Sequence, residues 1–302
     1  MKTKFFLLLA AFGWAVPASA QRLYFDNGAD IDWSEVTLSG SNLQRTTKAP
    51  NGTESIQSIP ASKVTRVDWP YPAELAEALN LILQQKYDAA LAKTNAVRNI
   101  HVNWKDKPGS WYVQASLYAA ECYIRLKNTA ETDKLLTELR TMQLPATQQK
   151  ALLMVQAFQD LERNATTPAL EKAQKALQGL EDDSALQARL SLLIGDIKFK
   201  GDQFADALDS YLQVPVFFGA QGQLMPHAEL GAARALFQLG RLADASKALG
   251  YVSMRYKGTP EAAAAEKEKI DVDKALMASG TPGAGGAAEA PKDKEAPKEE
   301  PK

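Results

Sequence analysis

Cysteine and histidine are the scarcest chemistry-bearing residues of this 302-residue chain, which has one Cys and two His. A lone cysteine closes no internal disulfide, and so few Cys and His donors make a Cys/His metal site improbable. An excess of one charge is also missing. The 35 Lys and Arg stand against 36 Asp and Glu, a net charge of -1, so the chain lacks the basic footprint that nucleic acid or an anionic membrane would require. No H-E-x-x-H, C-x-x-C, G-x-S-x-G or phosphate-loop sequence occurs. Gly283-Ala284-Gly285-Gly286 is glycine-rich but has no strand before it, so it is not read as a phosphate loop. Neither His101, in the linker 99–104, nor His227, after Pro226, has a sequence neighbour to orient or activate it, and both read as ordinary surface or capping residues. No catalytic residue, metal ligand or cofactor site is nominated.

What is present is 45% hydrophobic and 24% charged, enough to build a core and too polar for a polytopic membrane protein. Residues 1–20 read as an export signal. Lys2 and Lys4 precede an apolar run over 5–14, and Ala18-Ser19-Ala20 supplies a cleavage site, giving a mature chain from Gln21. That run, about ten residues, is short for a hydrocarbon layer of roughly 30 Å, so a retained anchor is the weaker alternative. The expected destination is the periplasm or the medium, with no integral span after cleavage. The single Cys122 then reads as a buried thiol.

Residues 21–70 are rich in Thr, Ser, Val, Ile and Trp, which are strand habits. Strands are predicted over 35–38, 42–47, 54–59 and 63–69, with Asn51-Gly52 turning between the second and third. So small a segment is expected to lean on the helical chain after it. From about 71 to 278 the chain turns to Ala, Leu, Gln, Lys and Glu. Apolar stripes such as Leu75, Ala78, Leu79 and Ile82 recur at helical spacing. The helices come in pairs, broken at Lys86-Tyr87, Lys127-Asn128, Gly201-Asp202 and Leu239-Gly240, with longer Pro- and Gly-bearing breaks between pairs. Residues 279–302, all Gly, Ala, Pro, Lys, Glu and the like, are predicted to form a disordered tail.

Two stretches align by inspection, GDIKFKGDQFADALDSY from Gly195 and ARALFQLGRLADASKAL from Ala233. In each, a small residue (Gly195, Ala233) is followed by a second (Ala207, Ala245), with Phe204 or Leu242 three before it and Tyr211 or Leu249 four after. Small side chains let paired helices approach, and large ones fill the gaps between pairs. This grammar resembles the tetratricopeptide repeat, a helix-turn-helix unit of about 34 residues. Weaker copies place Ala90, Asp133 and Ala169 in the same role, all with spacings longer than the family's. The resemblance implies a mainly α fold, an α-solenoid of about five helix pairs carrying the β-rich segment at one end and a last helix, 261–277, at the other. A plain helical bundle is the rival reading.

In the resembled family the first helix of each pair lines a concave groove that holds a peptide or a partner helix. Carried onto the matching helices, this places Tyr118, Cys122 and Arg125, then Met154 and Phe158, then Arg189, Asp196 and Lys200, then His227, Arg234 and Gln238 toward the groove. With Arg125, Arg189, Lys200 and Arg234 among them, the expected ligand is an acidic segment or a free C-terminal carboxylate of a partner protein in the cell envelope. The resulting expectation is a non-enzymatic scaffold or adaptor. The alternative is a glycan-binding or enzymatic site at the seam of the β-rich segment and the first helices, where Trp33, Trp69, Tyr71, Trp104 and Trp111 would stack on sugars. The oligomeric state is left open.

Overall fold

The computed structural model of the chain describes residues 21–48, 50 and 52–279. The expected export signal, Asn51 of the predicted turn and residues 280–302 of the predicted tail lie outside the described residues. The described chain divides into two compact units, one ending at Gln159 and the other beginning at Asp160.

The first unit opens with six short strands: β1 (Arg22–Phe25), β2 (Asp30–Asp32), β3 (Val36–Ser39), β4 (Asn42–Lys48), β5 (Glu54–Pro60) and β6 (Val64–Asp68). They form two antiparallel three-stranded sheets, ordered β2-β1-β6 and β3-β4-β5. The four strands expected from composition are β3 to β6. The hairpin β1–β2 was not expected. Leu23-Tyr24-Phe25 are all apolar in character and so mask the alternation of a half-buried strand. In the fold Leu23 and Phe25 enter the core, while the Tyr24 ring faces outward with the Arg66 guanidinium 4.0 Å above it. Leu23 is opposite Ile31 on one side and Val67 on the other, and these join Val36, Leu43, Val64, Trp69 and Trp104 in one cluster. Trp104 lies beyond the strands, so this core is completed by the helical part of the chain. Two backbone acceptors fix the docking. The Val67 N–H donates to the Pro108 carbonyl at 3.0 Å, and the Trp111 indole N–H to the Trp69 carbonyl at 3.1 Å.

Eleven helices come next among the described residues: α1 (Ala73–Leu83), α2 (Tyr87–His101), α3 (Tyr112–Arg125), α4 (Thr129–Thr141), α5 (Ala146–Glu162), α6 (Thr166–Leu177), α7 (Ser184–Lys200), α8 (Phe204–Phe217), α9 (Met225–Gln238), α10 (Leu242–Arg255) and α11 (Pro260–Ala278). The architecture is mainly α, consecutive helices packed in pairs after a small β segment. The division between the two units falls inside α5. His101 belongs to no linker: it ends α2 and is buried.

The turns inside the pairs share one construction. Gln85, Lys127, Asn164, Asp202 and Gly240 all have positive φ, between 57° and 73°. Each stands just past the end of an odd-numbered helix and donates its N–H three residues back, as Gln85 does to the Ile82 carbonyl at 2.9 Å. The next N–H reaches five residues back, as Lys86 does to the Leu81 carbonyl at 2.9 Å. These are Schellman closures, which satisfy the orphan carbonyls of a helix end at the cost of a left-handed residue. Only the fifth turn uses glycine there, so glycine spacing does not reveal the set.

Five residues after each left-handed position comes a buried small residue: Ala90, Thr132, Ala169, Ala207 and Ala245. This corrects the second repeat, where Asp133 was expected. Asp133 is exposed, and its carboxylate accepts from the Gln159 amide at 2.8 Å. Thr132 takes the buried position because its hydroxyl donates to the Asn128 carbonyl at 2.8 Å, which leaves its methyl for packing. α11 packs on α10 and α9, with Ala265 and Val272 joining Leu230, Leu249 and Val252 in a closing cluster.

Candidate functional site

In the second unit Tyr211, on α8, is the pivot of a polar network. Its ring lies between α7 and α9 because both helices carry glycine where it passes. A Cβ on Gly195 would come within 2.7 Å of the ring, and one on Gly231 within 2.6 Å. The buried phenol donates to Asp196 Oδ1 at 2.8 Å, and burial followed by the charge of Asp196 pushes its pKa upward. The same carboxylate lies 3.0 and 3.1 Å from His227 Nε2 on α9. Asp196 thereby joins three helices through one side chain. Asp183 caps the start of α7 by accepting from the Leu186 N–H at 2.9 Å, which fixes where that helix begins.

Two turns along α9 from His227, Arg234 forms a forked pair with Glu268 of α11. Its Nε lies 2.9 and 3.1 Å from the two carboxylate oxygens and its Nη2 is 2.5 Å from Oε1. The hydrogen bond to Glu268 raises the guanidinium pKa against burial, and the charge of Glu268 followed by Tyr211 and Asp196 adds to that field. Asp196, His227, Arg234 and Glu268 all remain partly exposed. Of the residues expected to line a groove, the fold thus gathers Asp196, His227 and Arg234. Glu268 was missed because α11 was read only as an end cap. Tyr211 was read only as a large packing residue, and sequence gives no sign of where its hydroxyl points.

The other expected groove residues are placed differently. Lys200 Nζ donates to the Leu161 carbonyl at 2.8 Å. Arg189 is partly exposed and Gln238 exposed. In the first unit Tyr118 and Cys122 are buried in the cluster of α1, α2 and α3 with Leu75, Ile82, Ala90 and Val97. Burial pushes the Cys122 thiol up to about 12, which makes it a poor nucleophile. Met154 and Phe158 are buried, and Arg125 lies 4.0 Å over the Phe158 ring. These first-unit residues mostly serve packing, because a surface-facing register on paper becomes an inward one where a neighbouring helix covers it.

The aromatic residues of the alternative divide between core and surface. Trp33, Trp69 and Trp104 form a cluster with centroids 5.8 to 6.2 Å apart, Trp33 edge-to-face with the other two and Trp69 tilted against Trp104, and Trp104 is 1% exposed. Only Tyr71 is well exposed, its ring edge-on to Trp111 at 5.0 Å. Trp69 and Trp104 are core material, and Trp33 and Trp111 are partly buried against that core. Against them sits His101, 4.8 Å from Trp69, with its Nδ1 buried and unpartnered. Burial holds this imidazole down at about 4. Because the folded pKa is depressed below the unfolded one, stability is fully present above pH ~6.5 and is lost as the pH falls toward 4. The loss from this group should reach about 3 kcal/mol. Denaturant unfolding of His101→Phe between pH 7 and 4 is expected to show a flatter profile than the parent chain. Identical profiles would mean that folding does not shift the His101 pKa.

Among the described residues no group of three or more His, Cys, Asp or Glu is placed to hold a metal ion, and no helix is long and apolar enough to cross a membrane. No protein-family model matches the chain, and no curated protein matches it.

Proposed function

We propose that the chain is an exported, non-enzymatic scaffold or adaptor of tetratricopeptide type that holds a partner protein or peptide on the first helices of its pairs. Its destination is the periplasm or the medium. The observation carrying this reading is the Asp196–His227 and Arg234–Glu268 network. It puts part-exposed donors and acceptors of both signs on helices fixed by the Tyr211 wedge, so a partner meets a preorganised surface. The favoured partner segment is acidic or ends in a free carboxylate, exchanging with Glu268 at the Arg234 fork.

The test is affinity capture of the chain's partner from its own envelope extract, with Arg125→Ala/Arg234→Ala as the control. Loss of a specific protein in the double variant, with the unfolding free energy kept within about 1 kcal/mol of the parent, is the expected result. Equal capture by both chains would sink the carboxylate reading. Retention of glycan in place of protein would move the function to the aromatic end of the first unit.

A further inference from the structure

From the β3-β4-β5 sheet we infer a second interaction surface, independent of the helix face: the outer edge of β5 pairs antiparallel with β5 of a second copy of this chain, across a two-fold axis at Ile56. Among the described residues β5 is the last strand of its sheet, paired over its whole length with β4 alone. The direction of its backbone groups is set by one bond. Just past the strand, the Ala61 N–H donates to the Ser41 carbonyl at 2.9 Å, and hydrogen-bonded pairs alternate along an antiparallel ladder. Ile59, Gln57 and Ser55 therefore face β4, whereas Glu54, Ile56 and Ser58 send N–H and C=O outward. Pro60 falls in the outward set too, where its missing N–H leaves the ladder with β4 intact.

Sheet edges are commonly blunted by Lys, Pro, bulges or a covering segment. The outer edge of β6 is covered in that manner, since the Val67 N–H is taken by Pro108. Among the described residues β5 has no such device between Glu54 and Pro60. It reads Ser-Ile-Gln-Ser-Ile, uncharged and exposed through Ser58. Ile56 is 67% exposed and is the sole exposed large apolar side chain among the described residues of the six strands.

The occupant is chosen by register. With Ile56 opposite its own copy, the outward backbone groups of Glu54, Ile56 and Ser58 meet those of Ser58, Ile56 and Glu54 of the second strand. Glu54 then faces Ser58, so no like charges are opposed, and the exposed isoleucine is covered by its twin. Pro60 lies outside this ladder. The contact is small, which places it among weak associations well below the area of a standard stable interface.

Sedimentation of the full-length chain, expressed with its leader in place, is expected to show a monomer–dimer equilibrium with a Kd between about 10 μM and 1 mM. Ile56→Lys, which opposes two ammonium groups at the axis, should raise that Kd at least about tenfold, with far-UV circular dichroism and unfolding midpoint unchanged. Under mild oxidation Ile56→Cys should form a disulfide-linked dimer, since opposed Cα atoms lie within disulfide reach. Gln57→Cys, opposite residue 55 instead of itself, should not. A chain that stays monomeric to about 1 mM, or a dimer that Ile56→Lys leaves intact, overturns the proposal. Loss of envelope partner capture with the dimer preserved would count against the helix-face function alone, so the two readings fail separately.

Discussion

Replacing Gly109 with alanine is expected to destabilise the first unit by about 4 kcal/mol, and tryptophan fluorescence should report the loss. Gly109 has a φ of +83°, and a Cβ built there would stand 1.9 Å from the Val67 carbonyl oxygen and 3.0 Å from its carbon. Three costs combine: about 1–2 kcal/mol for a left-handed alanine, about 1–3 kcal/mol for forcing backbone aside in a packed site, and about 1 kcal/mol if the Val67–Pro108 hydrogen bond is given up. The obstacle is a strand carbonyl, which has no rotamer to change. Moving β6 also disturbs Val64, Val67 and Trp69, whose side chains make the shared core with Trp104. The control is Gly28→Ala. Gly28 has nearly the same φ, +82°, yet nothing lies within 4 Å of its added Cβ, so it should lose only about 1–2 kcal/mol. Guanidinium unfolding of both variants isolates the collision from the backbone conformation. Equal losses would show that the 105–110 loop does not clamp β6.

How far the sequence foretells this fold depends on the physical range of each signal. The change from strand to helix chemistry near Pro70 is a local property of composition, and the boundary falls between β6 and α1 as expected. The second helices begin within a residue or two of the predicted breaks because turn residues act over three or four positions. Signals that depend on packing were not legible. The hairpin β1–β2 hides behind three successive apolar residues, and Thr132 was passed over for Asp133 because a threonine satisfied by its own helix does not look like a small residue. The groove residues divide in the same manner. Asp196, His227 and Arg234 lie on helix faces whose neighbours leave them partly open, whereas Tyr118 and Phe158 have the same sequence register and are covered. Four of the five left-handed turn residues are Gln, Lys, Asn and Asp, so the most regular feature of the helical region has no single-residue signature.

Tyr211→Ala is expected to cost about 3–5 kcal/mol in the second unit, the range for removing a buried aromatic ring, and its coupling to glycine is the more telling measurement. The ring is held from both sides, with Gly195 of α7 and Gly231 of α9 each leaving room only for a hydrogen. Gly231→Ala alone should therefore cost about 1–3 kcal/mol, since the ring cannot retreat toward α7 without striking the other helix. In the Tyr211→Ala background the same change should be neutral or slightly stabilising, because the added methyl enters the vacated space and alanine favours a helix over glycine by about 1 kcal/mol. A coupling of about 2–3 kcal/mol in the double-mutant cycle is the expected result. Tyr211→Phe separates shape from polarity: it keeps the wedge, removes the hydrogen bond to Asp196, and should cost only about 1–2 kcal/mol. It would also leave the Asp196 carboxylate with one fewer donor beside His227, so partner capture should change while the helix pair stays folded. Additive losses in the cycle, within about 0.5 kcal/mol, would mean that the α7–α9 spacing is set by other contacts and that the polar network is not held by this ring.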